Sequence, residues 1–329
     1  MFEIADRLLA RLDAGETVAL ATAVSVVGSA PRTVGTSMAV MADGTVVGSI
    51  SGGCVEGAVY EACLEAFETG RASLAGYGFS DEDAFAVGLS CGGRIEVLVT
   101  LVTPQSPVVV PALRQASAGR ATEVSSILEG PRLGETVARP DDCDASRSFT
   151  EKSMPPPRML VFGATEYAVA LTNAAATMGY RVTVCDARPV FLTPERFPSA
   201  EAVVVEWPPR FLARTDVDER TVIAILSHDD RYDTDLVELA LASGAGYVGA
   251  MGSRTTHARR VDELRMRKIA GVDRLHSPIG LDLGASTPEE TAVSILAEVL
   301  VSRSGASASK LRETDGAIHR PAPVAPLPR

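Results

Sequence analysis

From Arg158 onward the chain alternates short apolar runs with helix-length amphipathic runs, and nothing else in the sequence restricts the fold as much. Met159 to Phe162 reads as a strand, Gly163 opens a turn, and Tyr167 to Met178 reads as a helix that Gly179 ends. Arg181 to Cys185 is the next strand, closing on Asp186. Ala202 to Val205 follows, then Thr221 to Leu226 with a helix from Asp233 to Ser243. Tyr247 to Met251 leads into a helix from Thr255 to Ile269. Strands alternating with helices make βαβ units and a parallel sheet. The expected class is therefore α/β, with a Rossmann-like, doubly wound domain over 158–303. Its last helix is announced at Thr287-Pro288-Glu289-Glu290, where a capping threonine, a proline at the first helical position and a capping-box glutamate agree.

The first hundred residues read differently. Ile4 to Ala14 has helical spacing, and strands are expected at Thr17 to Val27, Ser37 to Met41 and Thr45 to Ile50, with Ala42-Asp43-Gly44 as a hairpin turn. A helix from Cys54 to Glu68 and a strand from Arg94 to Val102 complete a mixed α+β domain over 1–104. Between 105 and 157 the pattern weakens to a helix at Val108 to Ala116 and a strand at Thr122 to Leu128. Asp141 to Pro157 is polar, ends in three prolines and reads as a linker. Gly305 to Arg329 is rich in Ala, Pro and Ser and is expected to be disordered, giving a tail over 304–329.

Two cysteines set among glycines carry the strongest chemical signal. One lies in Ser51-Gly52-Gly53-Cys54-Val55-Glu56, where a strand hands over to a helix; the other lies in Ser90-Cys91-Gly92-Gly93-Arg94. A helix start offers free N–H groups and partial positive charge, which suits an anion or a thiolate. Cys54 and Cys91 are thus candidate reactive residues, with Ser51, Gly52, Gly53 and Gly92 beside them; the alternative is two small core cysteines next to tight turns. In the α/β half, Gly163-Ala164-Thr165-Glu166-Tyr167-Ala168 stands where a dinucleotide fingerprint belongs, with one glycine of three retained. Asp186 ends the second strand where a ribose-binding acid would sit, Arg188 follows it, and a strand-end cap is the alternative role. Gly252-Ser253-Arg254 opens a later helix as a possible phosphate cradle or an ordinary cap. His228, after the Thr221 to Leu226 strand, is a candidate acid/base or hydrogen-bond donor; no partner spacing points to a metal.

The net charge of −11 argues against nucleic acid or an anionic membrane as partner. Five cysteines with no CxxC pair, no apolar run of membrane-span length and no signal-like core in Met1 to Leu12 lead to an expectation of a cytoplasmic protein with reduced thiols.

The chain resembles the XdhC/CoxI family of accessory proteins for molybdenum hydroxylases. The resemblance rests on Gly28-Ser29-Ala30-Pro31-Arg32, Ser51-Gly52-Gly53-Cys54-Val55-Glu56, Cys91-Gly92-Gly93, Ser227-His228-Asp229, Tyr247 to Arg254, and Leu275 to Leu281 running on into Glu298. It implies a chaperone that binds molybdenum cofactor, a phosphorylated pterin dithiolene, during sulfuration and helps insert it into a xanthine dehydrogenase-like or carbon monoxide dehydrogenase-like apoenzyme. It further implies a cysteine desulfurase as sulfur donor and a homodimer. Arg32 would pair with phosphate or pterin, or stand as a solvated surface arginine. The family usually carries Gly-Ala-Gly-His-Val-Ala at the Rossmann turn; here Thr165 and Glu166 replace the second glycine and the histidine, and Glu166 would repel a phosphate unless a cation offsets it. Competing readings are a nicotinamide-dependent oxidoreductase, which would bind a nucleotide in the α/β half, and a module that only docks a partner protein.

Overall fold

The structure is a computed structural model that describes residues 1–27, 33–78, 94–138 and 147–315. The chain divides into two compact units, Met1–Pro155 with the segment from Lys310, and Pro156–Ser309.

In the first unit, α1 (Ala5–Asp13) precedes β1 (Val18–Val27), β2 (Ser37–Met41) and β3 (Val46–Gly48). Then come α2 (Glu56–Thr69), β4 (Ser73–Gly78), β5 (Arg94–Val102) and α3 (Val109–Ser117). The five strands form one antiparallel sheet, β3-β2-β1-β5-β4. Alternation along β1 sets the layers. Ala19, Ala21 and Ala23 face α2 and pack with Val59, Cys63 and Ala66. Val18 and Leu20 face the other way, toward Leu8 and Leu12 of α1 and Leu113 of α3. The strand is therefore apolar at nearly every position, because it is covered on both sides.

A second small sheet in this unit has the order β7-β6-β8, from β6 (Thr122–Ile127), β7 (Thr136–Val137) and β8 (Ser148–Ser153). β8 corrects the linker expected over Asp141 to Pro157: Ser148–Ser153 pairs with β6 along its whole length. Its own residues are too polar to announce a strand, and pairing with β6 supplies the order. β4, with glycines at 76 and 78, is recruited by β5 in the same way.

The second unit runs β9 (Arg158–Phe162), α4 (Glu166–Thr177), β10 (Arg181–Asp186), β11 (Ala202–Val205), α5 (Pro208–Ala213), β12 (Val222–Ile225), α6 (Asp233–Ala242), β13 (Tyr247–Ala250), α7 (Arg254–Met266), β14 (Leu275–His276) and α8 (Pro288–Ser304). Its six strands are all parallel in the order β11-β10-β9-β12-β13-β14. This is the doubly wound α/β arrangement expected. Met159 and Val161 pack toward α4 and α8, whereas Leu160 and Phe162 pack toward α5, α6 and α7. Both halves of the capping box at α8 form: Thr287 Oγ1 accepts the Glu290 N–H, and the Glu290 carboxylate accepts the Thr287 N–H. Chain order reverses between β9 and β12, so the switch point where ligands of such sheets bind lies at their carboxyl ends. No helix among the described residues is long and apolar enough to cross a membrane.

Candidate functional site

The Ser51–Cys54 loop is built around one carboxylate. β3 ends at Gly48, whose φ of +85° and closeness to the Ser37 carbonyl, 2.3 Å from where a Cβ would stand, admit no side chain. The chain then turns through Gly52 and Gly53, with φ of +82° and +124°. Glu56, the first residue of α2, folds back into this turn. Its carboxylate accepts the hydroxyls of Ser49 and Ser51, both at 2.7 Å. It also accepts the amides of Ile50 (3.2 Å), Ser51 (2.9 Å), Gly52 (2.9 Å), Gly53 (2.8 Å) and Val55 (3.2 Å). Burial opposes the charge, but the two serine hydroxyls and the loop amides outweigh it and hold the carboxyl far below the usual glutamate range. The anion that this glycine-rich helix start attracts is thus the chain's own.

Cys54 sits at the rim of that turn. Its amide donates to Ser51 Oγ at 2.9 Å, and its side chain is half-buried against the α2 face of the sheet. Among the described residues, nothing lies within 4 Å of the positions a Cβ would take on Gly52 and Gly53. Two other cysteines are core residues: burial pushes the Cys63 thiol up to about 12, and burial with the Glu206 and Asp186 carboxylates does the same for Cys185. Arg32, Cys91 and Gly92 lie outside the described residues.

In the second unit the topology brings the remaining candidates to one edge. Gly163 follows β9, Asp186 ends β10, His228 follows β12, and Gly252, Ser253 and Arg254 follow β13. Gly163, with φ of +107°, lies so close to the β12 loop that a Cβ would stand 2.7 Å from the Ser227 amide nitrogen. Thr165 caps α4 by accepting the Ala168 N–H at 3.2 Å. Glu166 is met by the cation its position calls for, an ion pair with Arg196. Asp186 is fully buried and engaged within the chain: it accepts the Ala164 amide at 2.7 Å, the Arg188 amide at 2.8 Å and both arms of the Arg188 fork. Burial opposes its charge, and these donors outweigh burial and hold the carboxyl below its ordinary range. His228 and Arg254 are exposed, and Ser253 caps α7 through the Thr256 amide.

Two further polar groups carry the loops of this edge. Asp233, buried, accepts the Ser227 hydroxyl at 2.6 Å and the Asp229 amide at 3.1 Å, with the buried Arg260 at 3.8 Å. Glu298 of α8 accepts the Tyr247 hydroxyl (2.6 Å) and the Gly280 amide (2.7 Å) and meets His276 Nδ1 at 3.2 Å; the His276 ring stacks on Tyr247 at 4.4 Å. That cluster ties the Leu275–Leu281 segment to α8. Glu56 and Glu298 both stand in the motifs quoted above, yet sequence reasoning gave neither a role. The only signal for Glu56 was an acid in the first helical turn just after two glycines.

Residues 159–299 match the XdhC Rossmann domain family, and residues 11–78 match the XdhC and CoxI family. The chain is 29% identical over 322 residues to a Bacillus subtilis (strain 168) protein named as a probable xanthine dehydrogenase subunit, covering 89% of this chain and 96% of that one. It is 27% identical over 293 residues to the molybdenum cofactor insertion chaperone PaoD of Escherichia coli K12, covering 88% and 84%. A crystal structure described as a xanthine dehydrogenase from Bacillus halodurans is similar with a TM-score of 0.75 at 26% identity, over 94% of this chain and 98% of that one.

Proposed function

This chain belongs to the XdhC and CoxI family, and from that premise we propose that it is a molybdenum-cofactor chaperone. It holds the cofactor while the terminal sulfur is acquired and assists insertion into a xanthine dehydrogenase-like or carbon monoxide dehydrogenase-like molybdenum hydroxylase. The relative named as a cofactor insertion chaperone supports the role. The observation that carries it is Cys54, a half-buried thiol beside two glycines on a loop immobilised by Glu56.

The donor set fits in one respect and not in another. Sulfur is the soft ligand that molybdenum and sulfur chemistry calls for, and Cys54 carries one on this loop. The loop amides that would grip a phosphate are spent on Glu56, so the thiol is the group through which this loop holds the cofactor. The cofactor supplies the metal and its dithiolene; the protein contributes a fixed thiol and shelter. A cysteine desulfurase as sulfur donor, a homodimer and a cytoplasmic location complete the proposal.

The role is tested by producing a molybdenum hydroxylase with and without this chain. Wild-type chain is expected to raise both hydroxylase activity and the fraction of enzyme carrying the cyanide-labile terminal sulfur, and Cys54→Ala to raise neither. Equal activity with and without the chain would refute the role.

A further inference from the structure

Helix α8 is patterned inside out. Between Ala292 and Val301 eight of ten residues are apolar, and the two exceptions are Ser294 and Glu298. Both of these polar residues face the protein. The Ser294 hydroxyl donates to the Leu281 carbonyl, and Glu298 holds Tyr247, Gly280 and His276. Ile295, Leu296 and Val299 join the core beside α4. The side turned to water is therefore apolar: Val293 is 58% exposed and Leu300 38%, with Ala297 between them partly exposed. A helix that covers one face of a sheet needs a single apolar stripe and turns polar residues outward, whereas a helix apolar all round is one buried all round. The outer stripe of α8 is thus one that the fold of a single chain does not use.

The order of residues along that stripe fits a copy of itself. Glu289, Val293, Ala297, Leu300 and Ser304 follow one another at helical spacing and share one face. The stripe opens on an acid, Glu289, and closes beside a base, Arg303. Both are exposed, and among the described residues neither has an ion-pair partner. A second α8 laid antiparallel, about a two-fold axis crossing between Leu296 and Ala297, brings Val293 of each copy against Leu300 of the other. The same operation sets Glu289 of each copy level with Ser304 and next to Arg303 of the other, on the same side of the seam. It also aligns opposite ends of the two helix dipoles. Ala297, at the axis, is small enough for the two backbones to approach. A parallel pairing would instead set Glu289 against Glu289. Only the antiparallel one is complementary in both shape and charge.

We propose that the outer face of α8 is an interface between two copies of this chain, a two-fold helix pair with Val293, Ala297 and Leu300 at its centre and Glu289–Arg303 ion pairs at both ends. α4 packs against α8 and exposes Met178, so its outer side adds area toward the roughly 800 Å² per partner that a stable dimer buries. The homodimer is part of the reading above, and this surface rests on it. The two fail separately. A dimer indifferent to changes in α8 leaves the homodimer and removes the surface, whereas a monomeric wild type removes both. Neither result bears on Cys54, which lies in the other unit.

The test is sedimentation equilibrium of the full chain over a range of concentrations. Wild type is expected to form dimers. Val293→Lys and Leu300→Lys each place a charge in the seam twice over and are expected to raise the dimer Kd at least about a hundredfold. Both positions are exposed and lysine is a good helix former, so each variant should melt like wild type when followed by Trp207 emission. Charge reversal separates the interface from any loss of folding. Glu289→Arg or Arg303→Glu alone sets like charges together and is expected to weaken the dimer about tenfold; the two combined restore opposite charges across the seam and the wild-type affinity. Wild type that stays monomeric, a Val293→Lys variant that dimerises as tightly as wild type, or a double reversal no tighter than either single change would overturn the proposal. So would a monomeric chain whose stripe is needed only for its effect on the hydroxylase, which would assign the face to that enzyme instead.

Discussion

Replacing Glu56 with alanine is expected to unfasten the Gly-Gly-Cys loop and to lower the melting temperature of the N-terminal unit by several degrees. The carboxylate satisfies two serine hydroxyls and five loop amides. Water replaces it readily at the exposed Gly52 and Gly53, but not at the buried Ile50 and Ser51, whereas the Val55 amide keeps Ser51 Oγ at 3.0 Å. Stranding buried donors costs about 1–3 kcal/mol each, so a loss of about 3 kcal/mol is expected, or roughly 6–12 °C for a unit of this size. The pH dependence has a definite sign. The folded carboxyl lies below its ordinary value, so the stability it contributes is complete above about pH 4.3 and is lost as the pH falls below that toward the depressed native value. Glu56→Ala removes that acid limb. It also frees Cys54: alkylation of this thiol should accelerate severalfold, while Cys63 and Cys185, held up to about 12, stay unmodified in the native state. Calorimetry against pH and mass spectrometry after iodoacetamide read both effects. A variant that melts and alkylates like wild type would show that the loop is held by something other than Glu56.

The second large effect belongs to Gly163. Alanine there must adopt a φ of +107° and place its Cβ 2.7 Å from the Ser227 nitrogen and 3.0 Å from the Leu226 carbonyl carbon. These are backbone atoms at the end of β12 and cannot swing aside. The left-handed backbone alone costs about 1–2 kcal/mol, and overpacking adds about 1–3 kcal/mol, so Gly163→Ala is expected to lose about 3 kcal/mol. Trp207 emission follows the melting of this unit alone, since the first unit contains no tryptophan. A melting curve superimposable on wild type would mean that β9 and β12 do not approach each other as closely as described.

The parallel sheet was legible because its strands are short apolar runs bounded by Gly163, Asp186 and similar punctuation, and buried strands of this kind need no alternation. β2, β5 and β11 fall on the expected residues, and α8 starts where its threonine, proline and glutamate place it. What escaped was structure imposed by partners. β14 is two residues long and exists through Val248 and Gly249 of β13, and β8 is a polar segment ordered by β6. The candidate site divides in the same way. Glycines and a cysteine marked the Cys54 loop, but not that the loop would be filled by a carboxylate from the next helix. That role depends on Glu56 turning back across the first turn of α2. Asp186 was visible as a strand-end acid; that Arg188 and Ala164 would occupy both its oxygens depends on how two loops meet.

The most direct measurement is retention of released molybdenum cofactor by the purified full chain, read by ultrafiltration and metal analysis with Cys54→Ala in parallel. Stoichiometric retention that the substitution abolishes, in a variant that melts like wild type, is the predicted result. A folded wild-type protein that retains no cofactor, or a Cys54→Ala variant that retains it equally, would contradict the assignment of Cys54 as the group that holds it.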